Sequence, residues 1–269
     1  MMGRILVVCL TILSSIEIAN AKVNQEDLDK VLMPGLAVSE LMGDTYLVTD
    51  QTMFWSNILI TVHGNQTVFI VSSPYDSRAT KSLMKWITLK FRPKKLIALN
   101  THYHADGSGG NQVFHEWKVE TWSSDRTRNL MRNEALKLRQ ETMQYLTTFS
   151  QRKRVLNTKI ETAQNIFSAK RGKRFVIGDE TIQVIFPGEA HSKDNLIVFF
   201  PNRSLLFGGC AVKGGKSLGY LRDANLKTWS SALEKMKKLS AKTVVLGHGK
   251  NRGNAIENTL KLLKAQNEN

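Results

Sequence analysis

The stretch Asn100-Thr101-His102-Tyr103-His104-Ala105-Asp106-Gly107-Ser108-Gly109-Gly110 constrains this chain more than any other. It directly follows an apolar run at 96–99 that reads as a buried strand. In extended chain, residues two apart point the same way, so His102, His104 and Asp106 can converge on one pocket. Imidazole nitrogen and carboxylate oxygen are ligand types that zinc accepts. The glycines beyond let the backbone turn sharply and bring the next helix close.

Three further candidates stand at the ends of other apolar runs. His191 lies in Pro187-Gly188-Glu189-Ala190-His191, Cys210 in Phe207-Gly208-Gly209-Cys210, and His248 in Leu246-Gly247-His248-Gly249. Ligand loops on a rigid sheet have this setting. Singly each is weak: a lone His at a glycine turn is more often a hydrogen-bonded surface residue, and a lone buried Cys a small hydrophobe. Of the six histidines, however, four occupy these strand-end positions. His63 and His115 do not, and read as a turn residue and a helix-surface residue.

Around these points the pattern alternates between strands and helices. Strands are expected at 57–63 and 66–72 about a Gly64-Asn65 turn, at 96–99 and at 118–122. A helix capped by Asp76 or Ser77 runs to Phe91 and stops at Arg92-Pro93. A short helix covers 112–117, and a long basic helical stretch starts at Ser124 and Asp125, with Leu130, Ala135, Leu138, Met143 and Leu146 as its apolar positions. Strands follow at 174–177, 181–186, 195–200 and 204–207, then a helix at 225–239, a strand at 243–246 and a last helix from about Asn254. Such blocks suit an α/β architecture of two sheets packed face to face and covered by helices. No linker or repeat divides residues 22–269, which read as one domain.

The first 21 residues read differently. A positive start at Met1 to Arg4, an apolar run at 5–18 and Ala19-Asn20-Ala21 form the pattern of a cleaved signal peptide, with a retained N-terminal anchor as the alternative. Export to the periplasm is the expectation. Cys9 would leave with that segment, so Cys210 would be the only thiol, and a metal would occupy it. The net charge of +15 is concentrated between Arg126 and Arg174, where 13 Lys or Arg stand against 3 Asp or Glu. A solvated helical face is the first expectation there, and weak contact with an anionic membrane the second. Nucleic acid is not expected, because aromatic residues are not regularly interleaved with the basic ones.

The four segments around His102, His191, Cys210 and His248 resemble the metal-binding segments of the class B, or metallo-, β-lactamases, from about residue 40 to 250. The resemblance implies a four-layer αββα sandwich with two zinc ions in a groove at the sheet edges. It assigns His102, His104 and His191 to a first zinc and Asp106, Cys210 and His248 to a second. Related glyoxalase-like hydrolases, nucleases and phosphodiesterases carry a further His after the motif Asp, where this chain has Gly107. They tend to have a bridging Asp where it has Cys210. The subclass specialised on one zinc usually has Asn in place of His102. The broad-spectrum, two-zinc subclass with a cysteine ligand remains.

The implied activity is hydrolysis of the β-lactam amide bond in penicillins, cephalosporins and carbapenems, conferring antibiotic resistance. Zinc lowers the pKa of its bound water to ~7, so a metal-bound hydroxide would attack the lactam carbonyl, shared by two zincs ~3.5–4 Å apart. Catalytic roles fall to Asp106 and Lys213, the latter receiving the substrate carboxylate. Trp55, in an apolar flap with Met53 and Phe54, and Tyr220 would contact substrate. A monomer is expected.

Three positions depart from the family pattern. Gly107 replaces a common Arg or Lys, Ser72 a buried Asp beneath the metals, and Tyr220 an Asn that touches the lactam oxygen. The first two bear on metal affinity. The third bears on rate, although a Tyr hydroxyl can donate the same hydrogen bond. The alternatives are a two-zinc hydrolase of another amide or ester, and a non-catalytic exported metal-binding protein.

Overall fold

Strands β3 (Ser56–His63) and β4 (Thr67–Val71) are buried on both faces, which explains their nearly unbroken apolar sequence. They form an antiparallel pair closed by His63 opposite Thr67. The computed structural model describes residues 24–250 and 253–268. The proposed signal peptide, Cys9 included, lies outside them.

Strands β1 (Leu36–Met42) and β2 (Thr45–Asp50) precede this pair, and β5 (Lys95–Leu99), β6 (Glu120–Ser124) and β7 (Asn165–Phe167) follow it. Together they make a seven-stranded sheet in sequence order, antiparallel from β1 to β4 and parallel from β4 to β7. The second sheet runs β12-β11-β10-β9-β8, from β8 (Lys173–Ile177), β9 (Glu180–Ile185), β10 (Ile197–Phe200), β11 (Leu205–Gly209) and β12 (Thr243–Leu246). Only its β11–β12 pair is parallel.

Side-chain alternation sorts the core into layers. Leu59, Phe69, Val71 and Leu99 of the first sheet meet Ile182, Val198, Phe200 and Phe207 of the second. The opposite face of the first sheet, with Ile58, Ile60, Val68 and Ile70, is covered by α1 (Gln25–Val31), α2 (Ser77–Phe91) and, beyond the short α3 (Ala105–Ser108), by α4 (Asn111–Glu116). Leaving α5 (Asp125–Thr142) and α6 (Phe149–Leu156) at the rim, helices α7 (Leu226–Lys237) and α8 (Ala255–Glu268) cover the second sheet through Trp229, Leu233, Met236 and Leu263. The architecture is the expected αββα sandwich.

Local chemistry sets the helix ends. The Asp76 carboxylate accepts from the backbone N–H groups of Arg78 and Ala79 at the start of α2. Arg92 ends it in the left-handed region, at φ 45°, before Pro93. The basic stretch is not one helix. It breaks after Thr142 because Thr148 and Gln151 form a capping box that starts α6 afresh. Leu146, in the break, is buried with Met53, Tyr75 and Val155.

Four expectations need correction. His63 is not a turn residue: it is the last residue of β3, buried, with Thr61 Oγ1 at 3.0 Å and Glu180 Oε2 at 3.4 Å. His115 is half-buried and joins α4 to Glu161 (2.7 Å) and to Thr121 of β6 (3.1 Å). Met53 belongs to the core and not to the flap. The basic segment is not wholly solvated, since Arg154 is buried between Asp50 (3.2 Å) and Asp76 (2.6 Å). A charge buried with two carboxylates is held by geometry that one partner alone would not supply.

Candidate metal centre and cleft

The loops after β5, β9, β11 and β12 gather at one rim of the sandwich, and each is fastened by backbone hydrogen bonds. Leu196 N–H donates to Thr101 O at 2.8 Å, which draws the His191 loop to the His102 segment. Asn57 joins the sheets at the same rim: its N–H donates to Gly247 O and its side-chain amide to Leu246 O and Gly249 O. Gly247 is required there, because a Cβ would stand 2.5 Å from Cys210 Sγ. Beneath the His102 segment, Asn100 and Asn111 exchange amide hydrogen bonds at 2.8 and 3.0 Å.

All six expected ligands converge. The rings of His102, His104 and His191 lie 4.8 to 5.9 Å apart, centre to centre. Their ligand atoms form one compact group, and His102, Asp106 and Cys210 form a second, each within 4.8 Å. The Cys210 thiol donates to Asp106 Oδ2 at 2.9 Å, and His248 Nε2 stands 3.1 Å from the same oxygen. His248 thus enters the second group through Asp106, while its Nδ1 faces Phe54 O at 2.9 Å. His102 belongs to both groups.

The donor chemistry fits metal. His102 Nε2 and His191 Nδ1 are buried without a hydrogen-bond partner among the described residues, which protein interiors rarely tolerate unless something else binds the atom. Burial lowers the pKa of His104 and, with Lys213 nearby, drives that of His191 well below the ordinary histidine value. Both are therefore neutral imidazoles, the form that ligates. Burial and Asp106 raise the Cys210 pKa, but His248 and His102 outweigh them and draw the thiol toward thiolate.

Nothing in the sequence marks Asp223 as part of this site, yet it holds one ligand in place. His104 Nε2 lies 2.9 Å from Asp223 Oδ2, and the Tyr103 hydroxyl donates to the same oxygen at 2.6 Å. With Nε2 engaged, Nδ1 is the atom of His104 left free to ligate a metal. The carboxylate lies 119 positions away along the chain, beyond any local pattern.

The three departures now have physical settings. A Cβ at Gly107 would overlap the His102 ring and carbonyl, so the close turn excludes a side chain unless His102 shifts. Ser72, with φ 75°, donates from Oγ to Asp106 O at 2.6 Å and so anchors the metal segment by its backbone. Tyr220 lays its ring against His104 at 5.9 Å and His191 at 6.5 Å, and its hydroxyl donates to Glu141 at 3.3 Å.

His104, Asp106, His191 and His248 line a cleft of about 1160 Å³ whose walls include Phe54, Trp55, Tyr145, Lys213 and Tyr220. Residues 88–248 match the Metallo-beta-lactamase superfamily, more than half of the chain.

The chain belongs to that superfamily.

Individual metallo-β-lactamases agree. The chain is 27% identical over 239 residues to the metallo-beta-lactamase type 2 of Bacillus sp. (strain 170), covering 85% of this chain and 82% of that one. It is 29% identical over 213 residues to metallo-beta-lactamase IND-1 of Chryseobacterium indologenes, covering 77% of each. Among solved structures, the metallo-beta-lactamase from Pontibacter korlensis superposes with a TM-score of 0.70 at 25% identity, over 85% of this chain and 99% of its own.

Within the metallo-β-lactamase frame, Lys213 sits on the cleft wall with its ammonium 5.8 Å from the Trp229 ring centre. No carboxylate lies within ion-pair distance of it among the described residues. Phe54 and Trp55 both adopt positive φ, at 57° and 55°, and stand exposed at the cleft mouth. Two consecutive aromatic residues in this region are rare and store strain.

Proposed function

We propose that this chain hydrolyses the amide bond of β-lactams, as a two-zinc enzyme of the broad-spectrum subclass exported to the periplasm. The convergence of six side chains of metal-ligating type carries this reading, four of them (His104, Asp106, His191 and His248) lining a cleft whose wall holds Lys213, which has no carboxylate partner among the described residues. Its sequence relatives are named metallo-β-lactamases, which supports the substrate class.

His102, His104 and His191 would hold one zinc, and Asp106, Cys210 and His248 the other. Bound zinc supplies a nucleophile at neutral pH and a Lewis acid for the carbonyl. Asp223 keeps His104 in the ligating tautomer, and Ser72 fixes the backbone of Asp106. Lys213, with no carboxylate within ion-pair distance among the described residues, would take the substrate carboxylate. The exposed rings of Phe54 and Trp55 would cover the apolar face of the bicycle and shed water from it. Tyr220 would bound the pocket beside His104 and His191 with its ring.

One observation favours a second substrate class. The Tyr220 hydroxyl is engaged by Glu141, which also pairs with Arg222, so this wall carries charge where a lactam oxygen would be received. Another amide or ester is then the substrate of the same two-zinc chemistry. Spectrophotometric hydrolysis of a penicillin, a cephalosporin and a carbapenem separates the two. Turnover that is abolished by EDTA and indifferent to clavulanate is expected. A metal-loaded protein that opens none of the three rings, or full activity after verified metal removal, would refute the β-lactamase reading.

A further inference from the structure

Helix α6 presents two unlike faces. Its inner face is bolted to the body: Arg154 reaches Asp50, Asp76 and Thr52, Gln151 donates to Thr52 O at 2.7 Å, and Val155 is buried. Its outer face carries Phe149, Arg152, Lys153 and Leu156, all exposed. Those positions are i, i+3, i+4 and i+7, a single stripe of the helix. Phe149 is 81% exposed and Leu156 62%.

The neighbouring chain has the same character. Of the large apolar side chains exposed among the described residues, Leu136, Tyr145, Phe149, Leu156 and Ile160 all fall between residues 136 and 160. Exposed Lys137, Arg152, Lys153 and Lys159 stand among them; none has a carboxylate within ion-pair distance among the described residues, and Arg152 is tethered only by Nε donating to Leu146 O at 3.1 Å. The acidic residues of this stretch are largely occupied elsewhere, Glu141 by Arg222 and Glu161 by His115. A merely solvated face does not combine unpaired cations with bare leucine and phenylalanine.

We propose that the outer face of α6, extended by Tyr145 and Ile160, docks on an anionic lipid surface. Basic side chains would meet the headgroups while Phe149 and Leu156 enter the boundary with the acyl chains. Leu156 and Ile160 add exposed aliphatic surface beside Phe149 and Tyr145, which suits acyl chains better than bases, whose stacking uses the aromatic rings alone. No helix among the described residues is long and apolar enough to span a bilayer, so the contact is interfacial. Because α6 also holds Thr52, docking would set the loop bearing Phe54 and Trp55, and with it the cleft mouth, near the membrane.

The test uses the zinc-loaded chain beginning at Lys22 and vesicles of phosphatidylcholine, alone or in equal parts with phosphatidylglycerol. Co-sedimentation with the anionic vesicles at low salt is expected, with loss at high salt and little binding to phosphatidylcholine alone. Replacing Arg152→Gln together with Lys153→Gln should weaken partitioning by roughly twenty-five-fold, at about fivefold per basic residue. Phe149→Ser with Leu156→Ser should weaken it by about tenfold or more. Both pairs are exposed, and unchanged melting and zinc content show that each variant is folded. Wild-type binding by both folded variants, equal binding to neutral vesicles, or capture of duplex DNA without capture of vesicles would each overturn the proposal.

Discussion

The three-histidine half of the metal cluster and the half formed by Asp106, Cys210 and His248 are held in opposite ways. In the first, burial keeps His104 and His191 neutral, and the support comes from outside, through Asp223 on His104. In the second, the members hold one another. Burial opposes charge on Asp106, yet His102 and His248 keep its pKa well below the ordinary value. Burial likewise opposes protonation of His248, yet Cys210 and Asp106 push its pKa up to about 10. A half with two neutral donors and an external brace, joined to the other only through His102, should survive loss of the other, whereas the mutually charged half should fail as a unit.

Cys210→Ser should break the comparison most severely. A serine hydroxyl is a poor zinc ligand, so the second metal should be lost while the first remains. Activity should fall by more than the roughly hundredfold that removing an outer partner of a ligand costs. Metal analysis should return close to one zinc per chain. Two tightly held zincs in the folded variant would show that Cys210 is not the ligand, and loss of both would show that the halves are not independent.

Asp223→Ala strikes the other half from outside. Metal affinity and activity should drop by about ten- to a hundredfold, with Asp223→Asn recovering part of it, because its amide oxygen still accepts from His104 Nε2. The first zinc should be the one released on titration with a chelator. Loss of the second zinc instead would reverse the assignment.

Lys213→Ala removes no candidate ligand, although it relieves the charge that, after burial, helps keep His191 neutral, and it tests chiefly the wall of the cleft. A charge pair with substrate is worth ~1–3 kcal/mol, so KM for carboxylate-bearing β-lactams should rise by roughly tenfold to a hundredfold, with kcat less affected. An unchanged KM across several substrates would remove Lys213 from the site.

Tyr220→Phe should have the smallest effect. It deletes one hydrogen bond to the Glu141 carboxylate, worth at most about 1.5–3 kcal/mol and less at its length of 3.3 Å, and keeps the ring against His104 and His191. A small drop in melting temperature with kcat reduced by less than about tenfold is expected. A much larger loss of kcat would mean that the hydroxyl leaves Glu141 to serve the reaction.

Most of the sandwich was legible because its signals are local. Apolar runs at 57–63 and 96–99, the Asp76 cap and the Arg92-Pro93 stop each act within a few residues, and each appears where expected. The first hairpin, β1 and β2, was not anticipated, although Gly43-Asp44 between two half-buried runs is a turn signal. Strand β7 is three residues long, too short for any period to register. The break between α5 and α6 was missed because the apolar spacing continues across it, while the Thr148–Gln151 box decides the new start.

The sequence by itself determined the candidate donors: His-x-His-x-Asp after a strand, with His191, Cys210 and His248 at glycine-flanked strand ends, names side chains of metal-ligating type by position. Residue type and short-range geometry are properties of the chain, and they suffice for that much. Only the tertiary structure decided that Asp223 orients His104, that Glu141 engages Tyr220, that His63 lies buried against Glu180, and that α6 turns Phe149 and Leu156 outward. These are contacts between segments far apart in the chain or choices of helix face. They depend on how two sheets and their helices dock, which no local spacing encodes.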